Sequence, residues 1–273
     1  MSVASCSVCG GQSSEIVSYR VLQKIDARLM RCGGCGFIFV HEPTWLESSF
    51  LDELNDLDIG SVDRCIVVLD FLEVLARSER LASATILDWG GGYGLLTRMA
   101  RDRGLDCVNF DPYVKDLFSG PARVHTEVSA GIAVASEVFL HLPDPLSALN
   151  NLLAYSDTVL VTAVVPPEDM SADWWYLMPE TGQHVAFFPV SALEELARRS
   201  GTRLHTDGRF FHVFTRRTLR LRTRVVVRSR VVAYGLALSG HIRRQIRRSV
   251  GRNPSLTPAD QRELMQRRGR QDA

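Results

Sequence analysis

The stretch that decides the fold reads Ile86-Leu87-Asp88-Trp89-Gly90-Gly91-Gly92-Tyr93-Gly94-Leu95-Leu96. An apolar run that ends in an acidic residue predicts a buried strand, and the glycines after it predict a tight turn into a helix. Because glycine has no Cβ atom, a ligand can approach the backbone of such a turn closely. The helix that follows offers its free N–H groups to polar ligand atoms. The stretch therefore predicts a turn that cradles a nucleotide-like ligand.

The spacing of these glycines differs from the dinucleotide-binding pattern. That pattern is G-x-G-x-x-G, but the sixth position counted from Gly90 is Leu95, and the third glycine falls at Gly94 instead. A second apolar run ends at Asp111, seventeen residues after Gly94. An acidic side chain at the tip of a second strand can accept hydrogen bonds from both hydroxyls of a ribose. The alternative interpretation is a glycine-rich turn that holds no ligand.

Together, the glycine turn and the acid after the second strand resemble the class I S-adenosylmethionine (SAM) methyltransferases. The resemblance implies that SAM is the cofactor and that Asp88, Gly90, Gly92, Gly94 and Asp111 hold it. It also implies an α/β fold with a Rossmann-like, mostly parallel sheet and an antiparallel hairpin at its edge. Methyl transfer is the activity that this family carries out.

Alternating strand and helix signals also predict a parallel sheet. The predicted strands are 84–89, 106–110, a weak one at 122–126, 131–136 and 157–164, and the predicted helices are 94–103, 144–153 and 190–200. A further helix over 61–80 is predicted from apolar residues at helical spacing. The runs 203–206 and 210–215 flank an Asp-Gly turn, which predicts the edge hairpin.

Four of the six cysteines form two C-x-x-C pairs, Cys6 with Cys9 and Cys32 with Cys35, separated by 22 residues. A glycine follows the second cysteine of each pair, as a tight knuckle turn requires. This is the spacing of a zinc ribbon, in which four thiolates bind Zn²⁺ tetrahedrally. A closed four-cysteine site leaves no position for a substrate, so we predict a structural zinc. Disulfides or a redox pair are the alternatives.

Three further segments make the resemblance more specific: Glu137-Val138-Phe139-Leu140-His141, Trp174-Trp175-Tyr176 and Gly182-Gln183-His184-Val185-Ala186-Phe187-Phe188. They resemble a bacterial group of zinc-ribbon methyltransferases associated with sugar and cell-surface polysaccharide modification. The resemblance covers roughly residues 6–215 and implies a sugar or a sugar-bearing small molecule as the acceptor. That group commonly carries Glu-Val-x-Glu-His after the fourth strand, whereas this chain has Leu140 at the second acidic position.

The aromatic segment follows the fifth predicted strand, where the loops of an open α/β sheet form the ligand crevice. We therefore predict that Trp174, Trp175 and Tyr176 contact the acceptor. The alternative is that they only seal the crevice by apolar contact.

The predicted catalytic residues are His184, His141 and Glu137. An alcohol acceptor must lose a proton, and a neutral histidine is the natural base. His184 is the first candidate and His141 the second, and a purely structural histidine is the alternative for each. The three residues also resemble the metal site of plant-type small-RNA 2′-O-methyltransferases, which makes a second divalent metal a candidate cofactor. The second acid of that site matches Leu140 here.

The charge of the chain is distributed unevenly. The net charge is +1, yet residues 216–273 carry sixteen arginines and three acidic residues. Valines and leucines interleave with arginines over 225–238, which predicts an amphipathic helix that binds an anionic membrane surface or a membrane-bound partner. A solvated tail is one alternative, and attraction of RNA is another.

Composition and apolar run lengths complete the predictions. An apolar content of 45% suits a globular core rather than a disordered chain. The longest uncharged apolar stretch, 231–238, is far below the ~20 residues that span a bilayer, so we expect a cytoplasmic protein, peripheral at the inner membrane face where the tail binds lipid. The predicted domains are a zinc-ribbon-like module (1–43), a helical connector (44–83), a SAM-binding methyltransferase domain (84–215) and a basic helical tail (216–273).

The sequence as a whole predicts SAM-dependent O-methylation of a sugar or sugar-bearing small molecule. RNA methylation is the alternative within the enzyme class, suggested by a zinc ribbon together with an arginine-rich tail. A non-catalytic SAM-binding or scaffold protein is the alternative outside it, suggested by Leu140 and by the short connections after Asp111.

Overall fold

The computed structural model describes residues 4–49, 60–82 and 84–229, together with residues 235, 256, 259, 260, 262, 263 and 266. The chain divides into two compact units. The first unit comprises Met1–Asp58, Glu137–Ala154 and Val159–Arg217, and the second comprises Ile59–Ser136, Tyr155–Thr158 and Thr218–Ala273.

The described strands are β1 (Ala4–Ser5), β2 (Gln12–Val21), β3 (Ile25–Cys32), β4 (Ile38–Val40), β5 (Ile86–Trp89), β6 (Cys107–Phe110), β7 (Ile132–Ser136), β8 (Thr158–Thr162), β9 (Ala186–Phe187), β10 (Arg203–Thr206) and β11 (Phe211–Thr215). The helices are α1 (Leu46–Ser49), α2 (Ser61–Ser78), α3 (Leu95–Asp102), α4 (Pro145–Tyr155), α5 (Val190–Arg199) and α6 (Leu221–Arg228). Short 3₁₀ turns lie at Gly120–Ala122, Phe139–His141 and Trp175–Leu177. The strands form two sheets, in the orders β1-β2-β3-β4-β9 and β10-β11-β8-β7-β5-β6.

The predicted Rossmann-like α/β fold is confirmed. Strand β5 pairs in parallel with β6 on one side and with β7 on the other. Strands β10 and β11 form the predicted antiparallel hairpin at the sheet edge. Its turn is held by the Asp207 carboxylate, which accepts hydrogen bonds from the main-chain N–H groups of Arg209, Phe210 and Phe211.

The predicted weak strand at 122–126 is wrong. In its place the structure has the 3₁₀ turn Gly120–Ala122 and a single parallel bridge between Asn109 and Arg123. Pro121 lies at the start of that turn, where its fixed φ favours a turn and its missing N–H cannot join a strand ladder.

The first unit is built around the antiparallel sheet that carries the cysteines. Strand β3 was not predicted, and it pairs with β2 from Ser13↔Cys32 to Val21↔Ile25. The fifth strand, β9, comes from a distant part of the chain and pairs with β4. The sheet's core contains residues of both parts: Val21, Ala27, Leu29, Ile38, Val40, Trp45, Leu140, Met170, Tyr176, Leu177, Val185 and Phe187.

The second unit contains the parallel strands β5, β6 and β7 and the helices α2, α3 and α6. Helix α2 confirms the helix predicted over 61–80, and it buries Leu69, Leu72 and Leu75 completely. Its C-terminal neighbour Glu79 accepts a hydrogen bond from the main-chain N–H of Arg220, immediately before α6. The Thr223 hydroxyl donates to the same carboxylate. These contacts fix the start of α6.

Most of the predicted amphipathic tail helix lies outside the described residues. Of the run 225–238, only 225–229 and residue 235 are described, and the arginines at 243, 244, 247 and 248 lie outside the described part. None of the helices in the described part of the chain has the length and apolarity needed to cross a bilayer.

An acidic residue of the C-terminal region is bound to helix α3. Asp260 is 3% exposed. Its carboxylate accepts hydrogen bonds from Arg101 Nε (2.8 Å) and Nη2 (2.6 Å) and from Arg98 Nη1 (2.9 Å). The bonds from Arg101 are the main reason why the pKa of this carboxyl is lowered from its usual value. Asp260 thus stays ionised and is bound to the helix that follows the glycine turn.

We expect Asp260→Asn to lower the free energy of unfolding at pH 7 by about 2 kcal/mol, because hydrogen bonds to charged groups contribute roughly 1.5–3 kcal/mol. A carboxyl with a lowered pKa stabilises the fold at any pH above about 4 and loses this effect as the pH falls through the lowered value. The difference between the two proteins should therefore shrink below pH ~4. Urea unfolding of the two proteins at pH 7 and below pH ~4 measures this difference in the free energy of unfolding.

The matched control is Asp106→Asn. Asp106 also binds Arg101, but its side chain is 51% exposed, so its removal should cost at most about 1 kcal/mol. An equal effect of the two substitutions at pH 7 would contradict the importance of the buried contact.

Candidate functional site

The glycine turn lies at the carboxyl end of β5, within the second unit. Gly90, Gly92 and Gly94 have positive φ angles of 70°, 54° and 81°, which other residues rarely adopt. Gly91 is required for a different reason, since a Cβ atom there would lie 2.3 Å from Asn109 Oδ1 and 2.5 Å from Asp88 Oδ2. A Cβ atom at Gly94 would likewise lie 2.7 Å from Asp116 Oδ2. The turn therefore needs glycine at three positions for its conformation and at two, Gly91 and Gly94, for space.

Asp111 holds this turn from the end of β6. Its Oδ2 accepts a hydrogen bond from the Gly92 N–H (3.0 Å), and its Oδ1 accepts from the N–H groups of Tyr113 and Val114 (2.9 Å each). Oδ1 thus already accepts two bonds, whereas Oδ2 accepts one and keeps a second lone pair. Asp111 can therefore keep these bonds and still accept a ribose hydroxyl.

Two residues beside the turn, Asn109 and Asp116, were not predicted from the sequence. Asn109 Nδ2 donates to the Gly92 carbonyl (3.1 Å) and to Asp116 Oδ2 (2.6 Å). Asp116 in turn accepts from the N–H (3.0 Å) and the hydroxyl of Ser119. The signal available in the sequence was a polar residue, Asn109, inside the apolar run of β6. In the structure this asparagine is 1% exposed, and a buried amide needs a specific hydrogen-bond partner.

Asp88 lies under the turn and is almost completely buried. Burial is the main cause that raises the pKa of its carboxyl to about 7, and the charges of Asp111 and Asp116 raise it further, whereas the hydrogen bond from Thr97 opposes the shift. Asp88 Oδ1, Trp89 Nε1 and Asn109 Oδ1 are buried and have no hydrogen-bond partner among the described residues. Buried polar atoms of this kind are what the polar groups of a ligand satisfy.

The turn is open on the side of Gly92. A Cβ atom at Gly92 would meet no other atom within 4 Å. Open space over a glycine backbone, an acid at the end of β6 and unpartnered buried polar atoms are together the features that a nucleoside cofactor requires. The residues predicted to hold SAM thus fit that cofactor.

The predicted catalytic residues lie in the first unit, in what we call the histidine cluster: Glu137, His141, Tyr176 and His184. Glu137 directly follows strand β7 and has a positive φ of 58°. Its Oε2 accepts a hydrogen bond from the Tyr176 hydroxyl (2.7 Å), and its Oε1 accepts from the Thr162 hydroxyl (3.2 Å). The carboxylate is therefore fixed by two hydroxyl donors.

The two histidines of the cluster are half-buried and close together, with ring centroids 5.3 Å apart. His184 Nδ1 lies 2.6 Å from the Tyr176 carbonyl oxygen, and His141 Nδ1 lies 2.9 Å from the Gln183 carbonyl oxygen. A carbonyl oxygen only accepts, so Nδ1 of each ring carries the proton. In the neutral ring Nε2 is then the proton acceptor. Both histidines are held in the tautomer that a general base requires.

Histidine His212, by contrast, has a structural role. It is completely buried, its Nε2 bonds the Ala163 carbonyl (3.0 Å) and its Nδ1 bonds the Thr206 hydroxyl (2.7 Å). Burial lowers the pKa of its ring to about 4. It is therefore neutral at pH 7.

The three aromatic residues predicted to contact the acceptor have different surroundings. Trp175 is 70% exposed. Trp174 is half-buried and packs on Tyr176 and Phe187, with ring centroids 5.3 and 5.5 Å apart. Tyr176 is buried and its hydroxyl binds Glu137. Trp175 thus contacts the Tyr176 ring (centroids 5.2 Å apart) and otherwise presents an exposed aromatic surface, whereas Tyr176 supports the histidine cluster.

The four cysteines of the two C-x-x-C pairs come together in the first unit. Their Sγ atoms all lie within 4.8 Å of one another, with 3.7 Å between those of Cys6 and Cys35 and 3.4 Å between those of Cys9 and Cys32. Four thiolates around zinc at ~2.3 Å are separated by about 3.8 Å. The geometry thus fits a tetrahedral zinc site.

Groups of three or more histidine, cysteine or acidic residues can hold a metal when their ligand atoms all lie within 4.8 Å of one another. Within the described part of the chain, the four cysteines are the one such group. The predicted set of Glu137, His141 and His184 does not form such a group. Its carboxylate is instead engaged by the Tyr176 and Thr162 hydroxyls.

Comparison with known proteins places the chain in a family. A family model described as a methyltransferase domain matches residues 66–207, which is more than half of the chain. The chain belongs to this methyltransferase family. The methyltransferase is SAM-dependent, as the sequence predicted. A comparison of the chain with curated proteins found no match.

Several solved structures are similar to it at low identity. The 1,6-didemethyltoxoflavin-N1-methyltransferase of Burkholderia thailandensis is 14% identical, with 73% of this chain and 98% of that chain covered and a TM-score of 0.49. The plantazolicin methyltransferase BpumL is 12% identical, with coverages of 64% and 95% and a TM-score of 0.45. CalO1, a methyltransferase of calicheamicin biosynthesis, is 16% identical, with coverages of 63% and 67% and a TM-score of 0.39. Family membership rests on the family model.

We expect Gly92→Leu to abolish SAM binding while the protein stays folded, because the side chain has room in the fold and fills the open space of the turn. Asp111→Ala should weaken binding by about 1–3 kcal/mol through the loss of hydrogen bonds to a charged acceptor. Titration calorimetry with SAM measures both effects.

The matched control is Gly208→Leu. Gly208 also has a positive φ (70°) and open space around its Cβ position, but it lies in the turn between β10 and β11. The control should show a similar backbone strain and normal SAM affinity. Unchanged affinity in both Gly92→Leu and Asp111→Ala would rule this site out.

Proposed function

We propose that the protein transfers the methyl group of SAM to a hydroxyl of a sugar or of a sugar-bearing small molecule. The observation that carries the proposal is the pair of histidines whose Nδ1 atoms are held by main-chain carbonyls. An alcohol must lose its proton as the new C–O bond forms, and a histidine fixed in this tautomer can take it.

The cofactor is assigned to the glycine turn. Bound SAM supplies a methyl group on a positively charged sulfur. In our proposal Asp111 accepts a hydrogen bond from a ribose hydroxyl at Oδ2, and Gly90, Gly92 and Gly94 let the cofactor lie against the backbone. The carboxylates of Asp111 and Asp116 add negative charge near the turn, which favours a cationic ligand.

His184 is the proposed general base. Its Nε2 takes the hydroxyl proton, and the bond from Nδ1–H to the Tyr176 carbonyl stabilises the imidazolium that results. Glu137 acts as a positioning residue, because it binds the hydroxyl of the tyrosine whose carbonyl orients His184. His141 is the second candidate base, since the Gln183 carbonyl holds it in the same tautomer.

A sugar acceptor is supported by the aromatic surface of the same unit. Trp175 is exposed, and aromatic rings suit the apolar faces of sugars while the hydroxyls remain free for polar partners. Structural Zn²⁺ at Cys6, Cys9, Cys32 and Cys35 completes the proposal. Its role is to stabilise the small antiparallel sheet.

Incubation of the protein with isotopically labelled SAM and a metabolite extract identifies the acceptor by mass spectrometry. With that acceptor, we expect His184→Asn to lower kcat by about 10²- to 10⁴-fold, the usual contribution of a general base. The affinity for SAM should stay unchanged, because His184 is not assigned to the cofactor.

The control for this prediction is His125→Asn, which replaces an exposed histidine of the second unit. It should leave kcat unchanged. Full activity of His184→Asn would exclude it as the base. Transfer of the isotopic label to RNA would show that the acceptor is RNA and not a sugar. Binding of SAM without transfer to any acceptor would favour the alternative of a non-catalytic scaffold.

We further propose that α6 contacts an anionic membrane surface. Leu221 and Val225 are one helical turn apart and are 74% and 47% exposed, and the exposed arginines Arg222, Arg224 and Arg228 flank them. Aliphatic side chains between arginines suit insertion among anionic headgroups, whereas RNA binding favours aromatic side chains on which bases stack.

We expect the protein to sediment with anionic but not with neutral vesicles, and a Leu221→Ser, Val225→Ser double variant to lose this binding. The matched control is Val62→Ser, Val67→Ser, which removes two aliphatic side chains of α2 that are 51% and 52% exposed. It should bind normally. Absence of vesicle binding in the unmodified chain would dispose of the membrane proposal.

A further inference from the structure

The segment Gly182–Val185, which we call the histidine segment, connects the histidine cluster to the cysteine-bearing sheet. Val185 bonds in both directions: its N–H donates to the Leu140 carbonyl (2.8 Å), and its carbonyl accepts from the Val40 N–H (2.9 Å). Leu140 precedes His141, and Val40 ends β4. One residue thus joins the turn that carries His141 to a strand of the cysteine sheet.

Both histidines depend on this segment. His184 belongs to it, and His141 Nδ1 bonds its Gln183 carbonyl. Immediately after it, β9 pairs with β4 through Ile38↔Phe187 and Phe39↔Ala186. The position of the two rings is therefore set by the register between β4 and β9.

A buried tryptophan fixes the other end of the segment. Trp45 Nε1 donates to the Gly182 carbonyl (2.9 Å), and Gly182 has a positive φ of 65°. A Cβ atom at Gly182 would lie 2.9 Å from Trp45 Nε1. The backbone of the segment therefore lies directly against the indole.

The cysteine knuckles contact the same part of the chain. The Ser191 hydroxyl, just after β9, donates to the Cys35 carbonyl (2.8 Å). Phe37, two residues after Cys35, packs on Phe188 with ring centroids 5.2 Å apart. The Cys32 N–H donates to the Phe37 carbonyl (2.8 Å), which links the knuckle to the start of β4. The second knuckle thus contacts the residues that flank the two strands whose register places the histidines.

We propose that the four-cysteine site is a positioning device for the histidine cluster. A metal held by the cysteines fixes the second knuckle, which fixes β4 and β9 and, through them, the tautomer and orientation of His141 and His184. Trp45 and Ser191 are the positioning residues of this arrangement. The inference rests on the proposed zinc site and gives the proposed base its geometry.

The test uses the full chain with isotopically labelled histidine. Nuclear magnetic resonance reports the tautomer of each ring, and His141→Asn and His184→Asn assign the two signals. Metal content is measured first, and Zn²⁺ is then removed by a chelator and restored. We expect removal to shift both rings away from the tautomer with a protonated Nδ1, and restoration to reverse this. SAM affinity should stay within about twofold, because the glycine turn shares no residue with this network.

Substitutions test the same inference without removing the metal. Trp45→Phe and Ser191→Ala should each shift the tautomer ratio of His184 by up to about fivefold, which corresponds to the loss of one hydrogen bond. The matched control is Ser18→Ala, which removes an exposed hydroxyl on β2 that binds the nearby Glu15 carboxylate (2.6 Å). It should leave both histidine signals unchanged.

The outcomes separate this inference from the proposed function. Unchanged histidine signals after verified metal loss, or in both Trp45→Phe and Ser191→Ala, would overturn it. A protein that binds no Zn²⁺ would also overturn it, because the proposal assigns the positioning of the histidines to a metal held by the cysteines. Neither result bears on whether His184 is the base, which the kcat of His184→Asn decides separately.

Discussion

The first unit depends on the pairing between β4 and β9, which joins residues about 150 positions apart in the chain. Through this pairing the cysteine-bearing sheet gains its fifth strand, and its core closes over Leu140, Tyr176 and Val185. A zinc ribbon alone buries too little apolar surface to fold without its metal. Here the same sheet also receives a segment that carries the candidate base, so stabilising the sheet and placing the histidines are consequences of one set of contacts.

The second unit depends on a different constraint, the concentration of acidic groups beside the glycine turn. Asp88 is buried, and the neighbouring charges of Asp111 and Asp116 contribute to its raised pKa. The same charges create a negative potential at the turn, which favours a ligand with a positive centre and hydroxyl donors. Asn109 keeps this arrangement compact, because it bridges the turn and Asp116. The residues to which we assign the binding of a sulfonium nucleoside are thus the ones that also hold the turn together.

The sequence predicted what depends on local pattern and missed what depends on distant contacts. The strand, glycine turn and helix around residue 90, the edge hairpin and the four-cysteine cluster were all predicted from spacing. Strand β9 has two residues and no periodicity, so only its partner β4 identifies it. The predicted strand at 122–126 failed because the turn at Pro121 breaks the ladder. The tautomers of His141 and His184 depend on carbonyls that no residue spacing reveals.

Leu140 favours the proposed histidine base over the alternative of a metal-bound hydroxyl. The metal site that this region resembles has an acid at the matching position. In this protein the Leu140 side chain is completely buried in the apolar core of the first unit. A carboxylate in that environment would cost several kcal/mol unless it were paired. Its main chain meanwhile accepts the Val185 N–H and so supports the histidine segment. The position therefore contributes to the packing that holds His141 and His184, and in the proposed function a neutral imidazole removes the proton.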